Sequence, residues 1–203
     1  MTVEGEFVRL RPLEVADAEL TLTWRTSPRA VHLNAGAQTV EEQARWIASR
    51  PESEYNFIIE LRDGRPVGMV SVTNVDERNG VCEPGRFLIG DEVAVRGTPV
   101  AVETMKLIYE LVFDRLGLRR VYGSIASENT MMIKWQTFLG MREEGRMRKH
   151  FLINGRYQDC VIFGMLADEF RRDALPRMKA LIAAGRKVQV APPDESNENR
   201  KTI

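Results

Sequence analysis

The sequence predicts an α/β domain, built as a single twisted and mostly antiparallel sheet of about seven strands flanked by helices. A long helix over residues 100–116 stands between strand-like runs at 81–89 and 120–126, so strands and helices alternate in this part of the chain. Elsewhere, apolar runs are joined by the Asn-Gly and Asp-Gly pairs that two-residue hairpin turns favour. These pairs lie at Asp63-Gly64, Asn79-Gly80 and Asn154-Gly155.

The length and charge of the chain limit its class. Its 203 residues predict one domain with a sizeable core. The 29 basic and 29 acidic side chains give a net charge of zero, so nothing favours nucleic acid or an anionic membrane as a partner. No apolar run approaches the roughly 18 residues of a spanning helix, and the acidic residues 1–6 are not expected to be a secretory signal. Cys82 and Cys160 lie in apolar runs, which predicts buried free thiols in a cytoplasmic protein.

The first half of the chain begins with a short strand and two helices. Residues 7–11 predict a strand that ends at Pro12, and Asp17 can cap the first helix. The run Thr39-Val40-Glu41-Glu42 is a capping box that starts the second helix. Three strands then follow as an antiparallel meander. They are expected at 55–61, 66–75 and 81–89.

The turn before the long helix carries the clearest chemical signal. Thr98 is a good N-cap, and Pro99 suits the first helical position, where its missing N–H costs no helix bond. The unpaired N–H groups and the positive dipole end of a helix N-terminus bind phosphate. Arg96 adds a cation, and Gly97 allows close approach of the backbone. An ordinary strand-to-helix turn has the same residue types, so the motif alone leaves both interpretations open.

Residues beyond the long helix predict a strand, a short helix opened by Asn129, and a hairpin. Their expected positions are 120–126, 127–139, 145–153 and 156–166.

The C-terminal part of the chain predicts a helix and a tail. The helix covers 167–184, with an interruption before Pro176 and a stop at Gly185. The polar, proline-containing residues 186–203 predict a disordered tail, which leaves 1–185 as the folded domain.

Several short motifs follow one another along residues 7–169. They are Val8-Arg9-Leu10-Arg11-Pro12-Leu13, Trp24-Arg25, Arg96-Gly97-Thr98-Pro99-Val100-Ala101, Leu116-Gly117-Leu118-Arg119-Arg120-Val121 and Phe138-Leu139-Gly140-Met141. In their order and spacing the chain resembles the GNAT acetyltransferase superfamily, and within it the branch of ribosomal-protein N-terminal and amino-sugar N-acetyltransferases. The resemblance implies the GNAT fold, and acetyl-CoA as cosubstrate with no metal.

The same resemblance implies which residues would hold the coenzyme. Its pyrophosphate would sit on backbone amides of the turn, and its pantetheine arm would pair with the edge of the preceding strand. Asn129 would bond the pantetheine or the ligand, unless it serves only as the cap of its helix. The turn residues are Arg96, Gly97, Thr98, Val100 and Ala101, and the strand residues are Phe87, Leu88, Ile89 and Gly90.

Acetyl transfer to an amine also needs a group that accepts the amine proton. Glu83, at the head of the cofactor strand, is the candidate base, and Asn129 is the second candidate catalytic residue. His32 and His150 are alternative bases. The residues expected to contact the acceptor are Trp24, Arg25 and His32, although Trp24 also fits a core position.

The implied function is N-acetylation of a primary amine on a small molecule by direct attack on the thioester. A nucleotide-linked amino sugar is the first choice, because Trp24-Arg25-Thr26-Ser27-Pro28 resembles the Trp-Arg-Asn-x-Pro of amino-sugar acetyltransferases. A protein or peptide N-terminus is the second, and the enzyme is expected to be a monomer or homodimer.

Three departures from the family pattern keep a non-catalytic acyl-CoA-binding module open as an alternative. Pro99 replaces the first glycine of the phosphate turn and removes one amide donor. Gln136 and Met132 stand where the resemblance places the Tyr or Ser that protonates the departing thiolate.

Overall fold

An open sheet of eight strands forms the centre of the protein. This computed structural model describes residues 1–32 and 36–190, with side chains as far as residue 185. The strands are β1 Val3–Glu4, β2 Val8–Pro12, β3 Tyr55–Leu61, β4 Pro66–Asp76, β5 Val81–Ile89, β6 Arg120–Ala126, β7 Arg142–Ile153 and β8 Arg156–Leu166. Across the described part of the sheet their order is β1-β2-β3-β4-β5-β6-β8-β7.

All neighbouring strands are antiparallel except β5 and β6. These two are parallel, and they pair only where Val81 faces Arg120 and Cys82 faces Val121. Beyond Cys82 the two strands part. The mostly antiparallel sheet flanked by helices is therefore confirmed. The structure adds β1, whose two residues are too few to give an alternating pattern.

Helices cover both faces of the sheet. They are α1 Ala18–Arg25, α2 Val40–Ala48, α3 Glu92–Val95, α4 Val100–Glu110, α5 Thr130–Phe138, α6 Ala167–Glu169 and α7 Leu175–Val190. Strand alternation sends Ile59 into the main core beneath α4 and Ile58 into a smaller core with Trp24 of α1. Cys82 and Cys160 are buried free thiols, as predicted, and burial raises the pKa of Cys82 to about 12.

The long helix begins and ends differently from the prediction. Its N-cap is Pro99, whose carbonyl accepts the first helical bond from Glu103 N at 2.9 Å, so the prediction of Thr98 as N-cap is wrong. The Thr98 hydroxyl instead donates to Val95 O at 2.7 Å, at the end of the short helix α3. At its C-terminal end, α4 continues as one π-helical turn, Leu111–Arg115.

The C-terminal helix also differs from the prediction. The interruption expected before Pro176 takes the form of a π-helical turn, Phe170–Ala174, and the chain then stays helical to Val190. Gly185 is therefore not a stop. It is a contact point, because a Cβ at this position would lie 2.8 Å from Cδ of Pro99. Of the predicted tail, residues 186–190 continue the helix, and 191–203 lie outside the described residues.

Candidate active site

A cleft with a volume of about 470 Å³ opens where β5 and β6 part. Its walls come from β4, β5, β6, α4, α5 and β7, and the end of α1 and the chain after it close one side. Several of the predicted site residues line this one cavity: Arg25, His32, Glu83, Phe87 and Asn129.

The rim of the cleft on β5 is a β-bulge. Gly85 faces Ser71 of β4 and Leu88 faces Met69, so that Arg86 and the residue after it, Phe87, together oppose one residue of β4. Arg86 has a φ of +50°, a left-handed conformation that is strained for an arginine and is retained where the surrounding structure fixes it. Since β4 covers one edge of β5 and β6 leaves the other after Cys82, that second edge can pair with an extended ligand.

The end of β5 is held from beneath by Trp24. A Cβ on Gly90 would lie 2.3 Å from the indole ring, so only glycine allows this contact. Trp24 is buried beside Leu88 and Met69 in the smaller core. The structure therefore corrects its assignment to the acceptor site: its side chain packs in the core and is not on the cleft wall. Leu88 and Ile89 are likewise core side chains, and only their backbone can contact a coenzyme.

The predicted phosphate turn lies at the start of α4, and the same helix reaches the cleft at Met105. Arg96 and Gly97 are exposed, and Gly97 has a φ of +73°. The amides of Val100 and Ala101 are in the first turn of α4, where backbone N–H groups have no intrahelical acceptor. Pro99 is buried beneath the turn against Gly185.

The Glu83 carboxylate lies on the cleft wall and is hydrogen-bonded to Asn74. Its Oε2 accepts a hydrogen bond from Asn74 Nδ2 at 2.9 Å. Asn74 is itself in a bulge of β4 with a φ of +51°. Burial, and then the negative charge of Glu83, raise the pKa of the nearby Tyr122. A carboxylate held by a neutral amide at the edge of a cleft can accept a proton from a bound amine.

A group of arginines from α1, β5 and the chain after α2 surrounds Trp46. The guanidinium carbons of Arg50, Arg86 and Arg25 lie 4.5, 5.2 and 5.8 Å from the centre of its ring. Glu54 joins the group through Arg86, with Nη1 2.7 Å from Oε2. We call these five residues the arginine cluster.

The α5 side of the cleft carries Asn129, Met132 and Gln136. Asn129 Oδ1 accepts from Met132 N at 3.2 Å, so Asn129 does cap this helix. Gln136 Oε1 accepts a long bond of 3.4 Å from the hydroxyl of Tyr109. Tyr109 is fully buried in the core, and burial raises the pKa of its phenol.

Sequence reasoning did not find Asn74, Arg86 and Glu54. The first two are set by bulges, for which Pro84-Gly85 is the nearest signal in the sequence.

The comparisons with known proteins agree with this architecture. The family model of the acetyltransferase (GNAT) domain matches residues 8–142. The SPbeta prophage-derived uncharacterized N-acetyltransferase YokL of Bacillus subtilis is 30% identical over 142 residues, which cover 70% of this chain and 77% of that protein. The chain belongs to the GNAT family. It is an N-acetyltransferase, and the enzymes of this family use acetyl-CoA as cosubstrate.

Among other similar proteins, one has a name that states the acceptor, and two solved structures share the fold. The spermidine N(1)-acetyltransferase of Escherichia coli K12 is 29% identical over 110 residues, 54% of this chain and 57% of that protein. The crystal structure of a GCN5-related N-acetyltransferase from Brucella melitensis superimposes with a TM-score of 0.73 at 27% identity, covering 100% of this chain and 91% of that one. A probable acetyltransferase from Chromobacterium violaceum has the same TM-score at 22% identity, over 84% and 88% of the two chains, which shows the shared fold.

In the described residues of this GNAT enzyme, no helix is both long and apolar enough to cross a membrane. Nor do three or more His, Cys, Asp or Glu side chains come together there in a group that could hold a metal ion.

Proposed function

We propose that this acetyltransferase transfers the acetyl group of acetyl-CoA to the primary amine of a small molecule by direct attack, with a nucleotide-linked amino sugar as the first candidate acceptor. One observation carries the proposal: the open edge of β5 and the carboxylate of Glu83 meet in the same cleft. An extended pantetheine arm can pair with the edge from Glu83 to Gly90, and an amine that reaches the thioester there lies close to a proton acceptor.

The chain supplies a group for coenzyme binding, for the oxyanion and for the amine proton, while the released thiolate takes its proton from water. The amine nitrogen attacks the thioester carbonyl, and a backbone N–H of β5 stabilises the oxyanion, a contribution of about 10²–10³ in rate. Glu83 takes the proton that the amine loses, and the C–S bond breaks to release the thiolate. The turn from Arg96 to Ala101 binds the pyrophosphate, with Arg96 as its cation.

The experiment that tests the proposal measures free thiol release from acetyl-CoA across a panel of amines. The panel contains amino sugars with and without a nucleotide, spermidine, and peptides with free N-termini. Turnover that is confined to the peptides would favour a protein N-terminus as acceptor. Calorimetric binding of acetyl-CoA without turnover of any amine would favour the non-catalytic module.

Glu83→Gln tests the base. At pH 7 the rate should fall by roughly 10²–10⁴ with unchanged affinity for coenzyme A, because Gln cannot accept the amine proton. The loss should shrink at high pH, where the amine deprotonates without help. Glu77→Gln, in the exposed turn that joins β4 to β5, is the matched control. Turnover of the Glu83 variant at the level of this control would remove Glu83 from the mechanism.

A further inference from the structure

The arginine cluster has a net positive charge, and three of its five residues, Arg25, Arg86 and Glu54, line the cleft. It combines three guanidinium groups packed around a single indole ring with one carboxylate that is ion-paired to Arg86. Glu54 is bonded mainly to Arg86, through Nη1 at 2.7 Å and Nη2 at 3.4 Å, while Arg50 is 3.7 Å away. Arg86 also donates to Asn56 Oδ1 at 3.0 Å. These contacts fix the position of the Arg86 guanidinium.

Two of the three arginines face the cleft. Arg25 and Arg86 line it together with Glu54, whereas Arg50 lies outside it and lines a separate hollow on the surface. Burial, followed by the positive charge of Arg86, lowers the pKa of Arg25. Glu54 offsets one of these two positive charges, so the charged groups of this wall sum to +1, a balance that favours an anion over a second cation.

A third group on the same wall has unused hydrogen-bonding capacity. His32 lines the cleft, and its Nδ1 is buried with no hydrogen-bond partner among the described residues. Buried polar atoms are normally paired, so an orphan on the wall of a binding cleft indicates a missing partner.

We propose that Arg25 and Arg86 bind an oxyanion, a carboxylate or a phosphate, that the acceptor amine carries. The proposal rests on the proposed function, because it assigns the other end of the acceptor whose amine is placed at Glu83. Guanidinium groups match the planar or tetrahedral oxygens of both anions through parallel N–H bonds. A polyamine suits this wall less well than an anionic acceptor, because Arg25, Arg86 and Glu54 together give the wall a net charge of +1.

Matched pairs of acceptors test the proposal. O-Phosphoethanolamine against ethanolamine, and glucosamine 6-phosphate against glucosamine, probe a phosphate. 4-Aminobutyrate against butylamine probes a carboxylate, and spermidine probes a second cation. The anionic member of at least one pair should have a kcat/KM about 10–100 times that of its neutral partner, the size of one or two charge-assisted hydrogen bonds. The pair that shows the preference identifies the anion.

Arg25→Gln is the decisive variant. It should raise KM for the anionic acceptor about 10–100-fold, while kcat, the affinity for acetyl-CoA and the KM for the neutral acceptor stay within about twofold. A thermal melt of the variant checks that the fold persists, because the substitution also removes the contact of Arg25 with Trp46. Arg50→Gln is the control, because it loses a contact with the same Trp46 and Glu54 at a position that does not line the cleft.

The outcomes separate this inference from the proposed function. Equal turnover of neutral and anionic acceptors, or an Arg25 variant that behaves like the Arg50 variant, overturns the oxyanion site and leaves the acetyltransferase proposal standing. A preference for spermidine over every anionic amine also overturns it. Acetyl-CoA binding with no turnover of any acceptor overturns the proposed function itself.

Discussion

Replacing Glu103 tests how the N-terminal segment is tied to the helix that carries the phosphate turn. Glu103 is only 3% exposed, yet it is a charged residue in the first turn of α4. Its Oε1 accepts from Glu6 N at 2.7 Å, and its Oε2 accepts from Phe7 N at 2.7 Å and Val8 N at 2.9 Å. One carboxylate therefore satisfies three consecutive amides at the entry to β2.

The sizes of the losses follow from this geometry. A hydrogen bond to a charged group contributes about 1.5–3 kcal/mol, and a buried donor that loses its acceptor costs a similar amount. In Glu103→Ala all three amides lose their acceptor, but water can reach the two part-buried ones, so we expect a loss of about 3–5 kcal/mol. Glu103→Gln can keep its oxygen on Phe7 and Val8 while its NH₂ faces Glu6 N–H, which should cost about 1.5–3 kcal/mol.

Urea denaturation with linear extrapolation measures these free energies of unfolding. The control is Glu110→Gln on the same helix, which breaks the Lys106 pair at 2.8 Å and should cost less than about 1 kcal/mol. We expect the control to be the most stable of the three variants, Glu103→Gln to be intermediate and Glu103→Ala to be the least stable. If Glu103→Ala were as stable as the control, the three amide bonds would contribute nothing and the argument from burial would be refuted.

Three further predictions concern the turn, the C-terminal helix and acid stability. Arg96→Ala should weaken coenzyme A binding by about 1–3 kcal/mol in calorimetry if Arg96 holds the pyrophosphate, and an unchanged dissociation constant would remove it from the site. Gly185→Val should lower the melting temperature, because its side chain would overlap the ring of Pro99; a variant as stable as wild type would show that α7 shifts freely. Burial favours a raised pKa for Asp17, but the hydrogen bonds from Arg11 and from the backbone N–H of Glu14, with the charge of Arg11, together outweigh it and lower the pKa, so these contacts stabilise the fold above about pH 4 and lose their effect as the pH falls below that. Arg11→Gln should therefore reduce stability at pH 7 and flatten its fall below about pH 4 in urea titrations; an acid limb as steep as that of wild type would contradict the assignment.

Elements with local signals could be predicted from the sequence. The Thr39 side chain accepts from Glu42 N, as the capping box requires, and the hairpin glycines Gly64 and Gly155 have positive φ angles. The strands at 55–61 and 120–126 have the predicted bounds. In each case the deciding interaction lies within a few residues, so the pattern contains the information.

What escaped prediction depends on contacts that are distant in the sequence. Glu103 accepts hydrogen bonds from residues more than 90 positions away, and the hydrophobic periodicity of the sequence does not predict such bonds. Gly185 has the local signature of a helix stop, but the packing of α7 on Pro99 overrides it. The inward position of Trp24 follows from the glycine at position 90, which can be recognised as its partner only after the strand and the helix have been placed together.

The absence of a tyrosine at position 136 affects only the protonation of the departing thiolate. Gln136 cannot donate a proton to the departing thiolate, and Tyr109 is fully buried with a raised pKa, so its phenol stays protonated while it donates to Gln136. An unperturbed thiol titrates near pH 8.5, so at neutral pH a released thiolate takes a proton from water without a dedicated donor. With Gln136 and Met132 at these positions, no side chain there protonates the departing thiolate. The overall reaction is still favourable, because water can supply that proton. Since the steps that need the protein most are positioning of the thioester on β5 and removal of the amine proton, these two departures are weak grounds for assigning the chain to coenzyme binding alone.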